Sequence, residues 1–469
     1  MRERVGRRVI AASAITALLA TALVTAPVLG PGGHLATAWA ADECQPGNPQ
    51  FTLETPPALD VLQARDAWQR TDGTGILVAI VDSGIDVTNP HLTDAVVGGI
   101  NLVGDGTHPN GYTDYHGHGT TIAGQIAARE IPGSGVVGLA PGAQLLAVRV
   151  FRGDDDESVR NGYSVTPERI AAGIRYAADN GAQIINVSLS DSNPSEALET
   201  AVAYATARGS LVVASAGNRA TATVTTDSPR YPGAYPGALA VAATDASGVV
   251  TSDSIHGNHV DLAAPGANVL STATGAGDCF YSTDAPSTSW ATGYVSGAAA
   301  LVAAAHPHET PQQWAYRLTA TGIRGNPDTR TATAGWGIIQ PYDAMRLLPG
   351  DSVRGPDNPT TGIRGDTVTP DVVTITPRND DMPFVIVHEV LVVLVVMAAG
   401  LLGTLGVIAV LRARKRAAEA TVERAEQPEP DTIDDDLQFA AGTAASTAGA
   451  ARTGLLDRAA RAPHSGLGD

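Results

Sequence analysis

Five side chains that could take part in catalysis stand at the edges of apolar runs in this chain. Asp82 ends a run within "VAIVDSGID", and His116 and His118 fall in "HGHGTTIAG". Asn218 closes "ASAGN" beyond another run, and Ser289 lies in "PSTSWATGYVSGAAALVAAA". A serine hydroxyl attacks a carbonyl readily only when a neighbouring imidazole accepts its proton. The imidazole needs a buried carboxylate to fix its tautomer and stabilise the imidazolium. The oxyanion needs preorganised donors, which the Asn218 amide and the Ser289 backbone N–H could supply. Each residue also has an ordinary reading. Asp82 could be a turn residue, and a Ser or Thr ahead of an apolar run is a common helix N-cap. Paired histidines could bind a metal, but no Cys, His or Glu cluster with metal-site spacing follows them. No metal and no cofactor is expected.

These residues need a scaffold, and the sequence describes one. "ILVAIVD" (Ile76–Asp82), "LLAVRVF" (Leu145–Phe151), "QIINVSL" (Gln183–Leu189), "SLVVASAG" (Ser210–Gly217) and "ALAVAAT" (Ala238–Thr244) are short and almost continuously apolar. That pattern marks strands buried on both faces of a parallel sheet. Between them lie helical patterns, "PERIAAGIRYAADNG" and "PSEALETAVAYATARG", each opened by proline and closed by glycine. The alternation predicts an α/β fold, doubly wound, with helices on both faces of the sheet. Functional residues in such a fold gather at the carboxyl ends of the strands.

The ordered motifs "VAIVDSGID", "HGTTIAG", "INVSLS", "ASAGN", "VDLAAPG" and "STSWATGYVSGAAA" resemble those of the subtilisin-like serine proteases, over roughly 75–345. The resemblance implies Asp82 as orienting carboxylate, His118 as general base, Ser289 as nucleophile and Asn218 as oxyanion donor. His118 is preferred to His116 because it directly precedes Gly-Thr. The family's substrate-binding edge falls on Ser188, Leu189 and Ser190 and on Ala214, Ser215, Ala216 and Gly217. Ser287, Trp290 and Gly293 depart from the family's usual Gly, Met or Phe, and Pro, and Ser190 stands where Gly is common. None removes a reacting group, and together they favour a slow, selective enzyme. The order of segments resembles the mycosins, the membrane proteases of type VII secretion systems. That likeness implies protein or peptide substrates and a secretion membrane complex as partner. A general membrane-tethered subtilase and a structural subunit of a secretion complex are the competing readings.

The ends of the chain supply that order. A basic "MRERVGRR", an apolar stretch and Ala38-Trp39-Ala40 predict a signal peptide over 1–40, with an uncleaved anchor as the alternative. An N-terminal arm follows over 41–72, then the peptidase domain over 73–350 and a Gly/Pro/Thr/Asp-rich linker over 351–383. A transmembrane helix is expected over 384–411, long enough to cross a bilayer. The "RARKR" beyond it places residues 412–469 in the cytoplasm as a disordered tail, with the catalytic domain outside. The two cysteines, Cys44 and Cys279, predict a disulfide in an extracytoplasmic chain, two unpaired thiols being the alternative. A net charge of −18 with no basic patch argues against nucleic acid.

Overall fold

The computed structural model describes residues 50–366, apart from 276, 283 and 284, together with a helix over Met382–Ala425. The expected signal peptide and Cys44 lie outside the described residues.

The sheet has seven strands, β1 (Leu77–Asp82), β2 (Val96–Asn101), β3 (Gln144–Arg149), β4 (Ile184–Val187), β5 (Leu211–Ser215), β6 (Ala238–Thr244) and β7 (Val260–Pro265). Their order is β2-β3-β1-β4-β5-β6-β7, and every neighbouring pair is parallel. Strands β8 (Val269–Ala273) and β9 (Gly277–Tyr281) form a separate antiparallel ribbon. The expected doubly wound α/β architecture is therefore present. Strand side chains alternate between faces, and the core divides accordingly. Val78 and Ile80 of β1 and Leu211 and Val213 of β5 join one cluster. Ala79 and Val81, with Val212 and Ala214, join the other. Such strands read as unbroken apolar runs because neither face meets water.

The helix Thr288–Ala305 fills the first layer. It is apolar almost all round and nearly every residue is buried, as expected of a helix running through a core. Beside it lies the helix His118–Ala127, of which all but His118 is buried. The amphipathic helices Pro167–Asp179 and Glu196–Ala207 cover the opposite face. Threonine and serine N-caps, Thr166 and Ser195, accept from the backbone N–H groups of Arg169 and Leu198.

The described part of the arm packs as part of this unit. Leu59, Leu62, Ala64 and Ala67 enter the first core cluster, and Trp68 Nε1 donates to the Leu139 carbonyl at 2.8 Å. Further upstream, the Thr52 N–H donates to Asp278 Oδ2 at 3.0 Å, and the Asp278 N–H donates to the Gln50 carbonyl at 2.8 Å. Asp278 also accepts from Ser134 Oγ at 2.6 Å and faces His91 Nε2 at 3.1 Å, so one buried carboxylate ties arm, ribbon and loop together.

Residues 351–366, expected to begin the linker, bond to the domain. Arg354 pairs with Asp328, and Gln313 Nε2 donates to Thr360 Oγ1 at 3.1 Å. The second unit contains the helix Met382–Ala425, in which Val387–Ala417 includes an 18-residue stretch of mean hydropathy 2.7 and is long and apolar enough to cross a membrane. The helix runs past the expected end of the span at Leu411. Residues 412–425, expected as disordered tail, are instead helical. Their sequence "RARKRAAEATVERA" is rich in strong helix formers.

Candidate active site

The strand order reverses beside β1 and β4, where a doubly wound sheet opens a crevice at its carboxyl edge. Asp82 is the last residue of β1 and fully buried. His118 is the first residue of its helix, and its Nδ1 lies 2.7 Å from Asp82 Oδ1. The same oxygen accepts from the Ser83 N–H at 2.8 Å, while Asp82 Oδ2 has no partner among the described residues. Burial alone would lower the His118 pKa. The Asp82 carboxylate, through charge and hydrogen bond, outweighs it with help from Asp114, and the pKa is raised above the usual histidine value.

The local sequence explains how His118 comes to Asp82. Gly119 lets the helix press against the β1 loop, since a Cβ there would stand 2.1 Å from the Gly84 carbonyl oxygen. The helix N-cap, Gly117, has no side chain to cap with. Asp114 does that work instead, accepting from the Thr120 N–H at 2.9 Å and from the Gly117 N–H at 2.8 Å. A carboxylate at a helix N-terminus is also favoured by the helix dipole. Arg149 fixes the loop from below. Its Nε donates to the Ser83 carbonyl at 2.9 Å, and its Nη1 pairs with Asp105 at 2.7 Å with both side chains wholly buried. Burial opposes ionisation of Asp105, but hydrogen bonds from Asn101, Thr107 and Arg149 pull its pKa down to about 2.

Ser289 sits in the first turn of the Thr288–Ala305 helix. Its hydroxyl donates to the Ser188 carbonyl at 3.0 Å, and Ser188 Oγ donates to the Ser289 carbonyl at the same distance. The hydroxyl is thus parked against the end of β4. A serine Oγ turns about one side-chain bond, and catalytic hydrogen bonds commonly tighten only when substrate binds. Asn218 follows β5 and is clamped by the serine helix. Its Oδ1 accepts from the Thr288 N–H at 2.8 Å and from Thr288 Oγ1 at 2.9 Å, which turns its Nδ2 away as a donor. Nδ2 meets Ser287 Oγ at 3.3 Å. Ser287 is the N-cap residue of the helix yet makes no capping bond. The N–H groups of the first turn, including that of Ser289, have no acceptor within the helix and can serve an oxyanion.

The residues expected at a substrate-binding edge lie at adjacent strand ends. Ser188, Leu189 and Ser190 follow β4, with Ser190 exposed. Ala214 and Ser215 end β5, and Ala216 and Gly217 continue from it, all buried. Ser215 Oγ lies 2.6 Å from Thr288 Oγ1, linking that edge to the serine helix. His116 stands apart from Asp82, with its ring edge-on to His118 at 6.0 Å and its Nε2 3.7 Å from Asp154.

Sequence reasoning noted Trp290 and Gly293 but not their partners. The Trp290 ring lies over His118 with centroids 4.9 Å apart, and over Tyr281 at 5.3 Å. Its Nε1 donates to Ser282 Oγ at 2.7 Å, and its carbonyl accepts from Gln125 Nε2 at 3.0 Å. Gly293 leaves room for that glutamine, because a Cβ there would lie 2.8 Å from Gln125 Oε1. Arg149 was also passed over, although a charge inside the apolar "LLAVRVF" was a signal in plain view. Among the described residues no group of His, Cys, Asp and Glu could hold a metal ion.

A buried Asp–His pair, a serine at a helix start and an amide donor gather at one crevice, the set of groups that serine hydrolase chemistry requires. The Peptidase S8 model, the Subtilase family, matches residues 73–337, and the chain belongs to that family. It is a serine endopeptidase of subtilisin-like fold. Thermitase from Thermoactinomyces vulgaris is 39% identical over 269 residues, which is 56% of this chain and 88% of the relative. Among solved structures the chain is similar to mycosins. MycP1 from Mycobacterium smegmatis matches with a TM-score of 0.56 at 26% identity, covering 67% of this chain and 91% of its own. The MycP3 protease from the type VII (ESX-3) secretion system matches with a TM-score of 0.52 at 30% identity, covering 64% and 89%.

Proposed function

We propose that this chain is a membrane-anchored, extracytoplasmic endopeptidase of mycosin type that cleaves secreted proteins through Asp82, His118 and Ser289. The observation that carries the reading is the 2.7 Å Asp82–His118 contact at the crevice that also holds Ser289 and Asn218. In this mechanism His118 takes the Ser289 proton as Oγ attacks the scissile carbonyl. The Asn218 amide and the Ser289 N–H hold the oxyanion. The imidazolium then gives its proton to the leaving amine, and water repeats the sequence on the acyl-enzyme. Substrate strands lie along Ser188–Ser190 and Ala214–Gly217, whose backbone ends the two strands flanking the site.

The likeness to MycP1 and MycP3 supports partnership with a type VII secretion complex. The apolar helix supports a single-pass anchor, and "RARKR" orients its far end to the cytoplasm. We assign a signal peptide to 1–40 and a disulfide to Cys44 and Cys279. No cysteine among the described residues is free, and the arm meets the Cys279 strand at Gln50 and Gly277.

The test compares wild type, Ser289→Ala and a full deletion for peptidase activity, fluorophosphonate labelling and secretion. Wild type should hydrolyse peptides and label at Ser289, and the substitution should abolish both. A wild-type protein that does neither refutes the enzyme reading. Normal secretion with Ser289→Ala but not with the deletion assigns the secretion role to assembly rather than cleavage.

A further inference from the structure

We propose that Trp290 is a positioning residue for His118, its indole face stabilising the imidazolium formed when Ser289 loses its proton. The proposal rests on the triad reading above and deepens it. The two rings are 4.9 Å apart and inclined by 36°, within the roughly 6 Å reach over which an aromatic face attracts a cation.

Three contacts hold the indole there. Its Nε1 donates to Ser282 Oγ, its ring meets that of Tyr281, and the backbone carbonyl of Trp290 accepts from Gln125 Nε2. Ser282 itself has φ of 51°, a left-handed conformation that residues other than glycine seldom adopt. The chain bends unfavourably at the residue that holds the ring. A tryptophan serving only as filler would need none of these constraints.

The other groups facing the imidazole leave this side to the indole. Asp82 on β1 takes Nδ1, and Asp114 acts from the loop before the histidine helix. His116 lies edge-on at 6.0 Å with Asp154 beside it. In acylation the proton passes from Ser289 Oγ to His118 Nε2 as the O–C bond forms and the carbonyl electron pair moves to oxygen. The proton then leaves with the amine as the C–N bond breaks. The indole exchanges neither proton nor electrons. Its quadrupole favours imidazolium over neutral imidazole, and so makes His118 a stronger base.

The test measures kcat/KM against pH for the full-length chain in detergent, using a chromogenic peptide. In Trp290→Leu the acid limb should move down by about half a unit to one and a half units. Trp290→Phe, which keeps a ring, should restore part of the shift. An unmoved limb in Trp290→Leu overturns the proposal. If that variant does not fold, wild type grown with fluorinated tryptophan replaces it, because fluorine drains the ring face without changing its packing. The limb should again fall, and an unmoved limb again overturns the idea. Among the tryptophans of the described residues only Trp290 is paired with a histidine ring. Ser289→Ala run in parallel separates the two claims. Activity surviving in it defeats the triad reading itself, whereas an inactive Ser289→Ala beside an unmoved limb defeats only the role of Trp290.

Discussion

Replacing Asp82 by asparagine would separate what this carboxylate does by shape from what it does by charge. Its Oδ1 receives two N–H groups, from His118 and Ser83, while Oδ2 is buried without a partner among the described residues. An asparagine must keep its carbonyl oxygen where the two donors converge and turn its NH2 to the empty side. The imidazole tautomer is therefore retained, and what disappears is a negative charge close to the developing imidazolium. Two unit charges about 4 Å apart at an effective dielectric near 20 interact by about 4 kcal/mol. That corresponds to about a thousandfold in rate. Burial, which already opposes a charged His118, would then act with little opposition, so the acid limb should also fall. Steady-state hydrolysis across pH measures both effects, and the low-field proton signal of His118 Nδ1–H reports the tautomer. The reasoning fails if that signal vanishes in folded Asp82→Asn. It fails equally if activity stays within about tenfold of wild type.

Other outcomes follow from the same geometry. Asn218→Ala should lower kcat by about 10²–10³ with KM nearly unchanged, the magnitude known for such a donor in subtilisin; peptide kinetics check this. Arg149→Met should destabilise the domain by about 3–5 kcal/mol in urea unfolding, because it leaves Asp105 buried without its cation. The stability that Asp105 contributes has a defined pH window. Its pKa is depressed to about 2, so the contribution is complete above the usual carboxylate range and is lost as pH falls towards 2. The difference in unfolding midpoint between wild type and Asp105→Asn should therefore shrink on acidification through that interval.

The central strands were legible because burial on both faces leaves an unbroken apolar signature, as in β1 and β5. Edge strand β2, "VVGGIN", carried no such signal. Its Gly99 is required by contact, since a Cβ there would stand 2.2 Å from the Ala147 carbonyl oxygen. The ribbon β8–β9 was equally hidden, because its polar positions make contacts distant in sequence. Ser271 and Thr272, for example, donate to the Thr121 and Thr120 carbonyls of the histidine helix. At the site, residue type and motif order picked out Asp82, His118, Asn218 and Ser289, side chains that the fold brings to one crevice. The clamp of Thr288 on Asn218 and the stacking of Trp290 on His118 depend on how helix and strand ends meet, which no local pattern records.

The carboxylate at Asp278 also bears on the order in which the molecule is completed. Thr52 and Asp278 are separated by 226 positions, yet one hydrogen bond joins them. For a chain exported amino end first, the arm emerges early, and its bond to Asp278 has to wait until β9 has followed it across. Its docking then acts as a completion signal. The Thr52–Asp278 bond then forms only in a molecule whose ribbon has emerged.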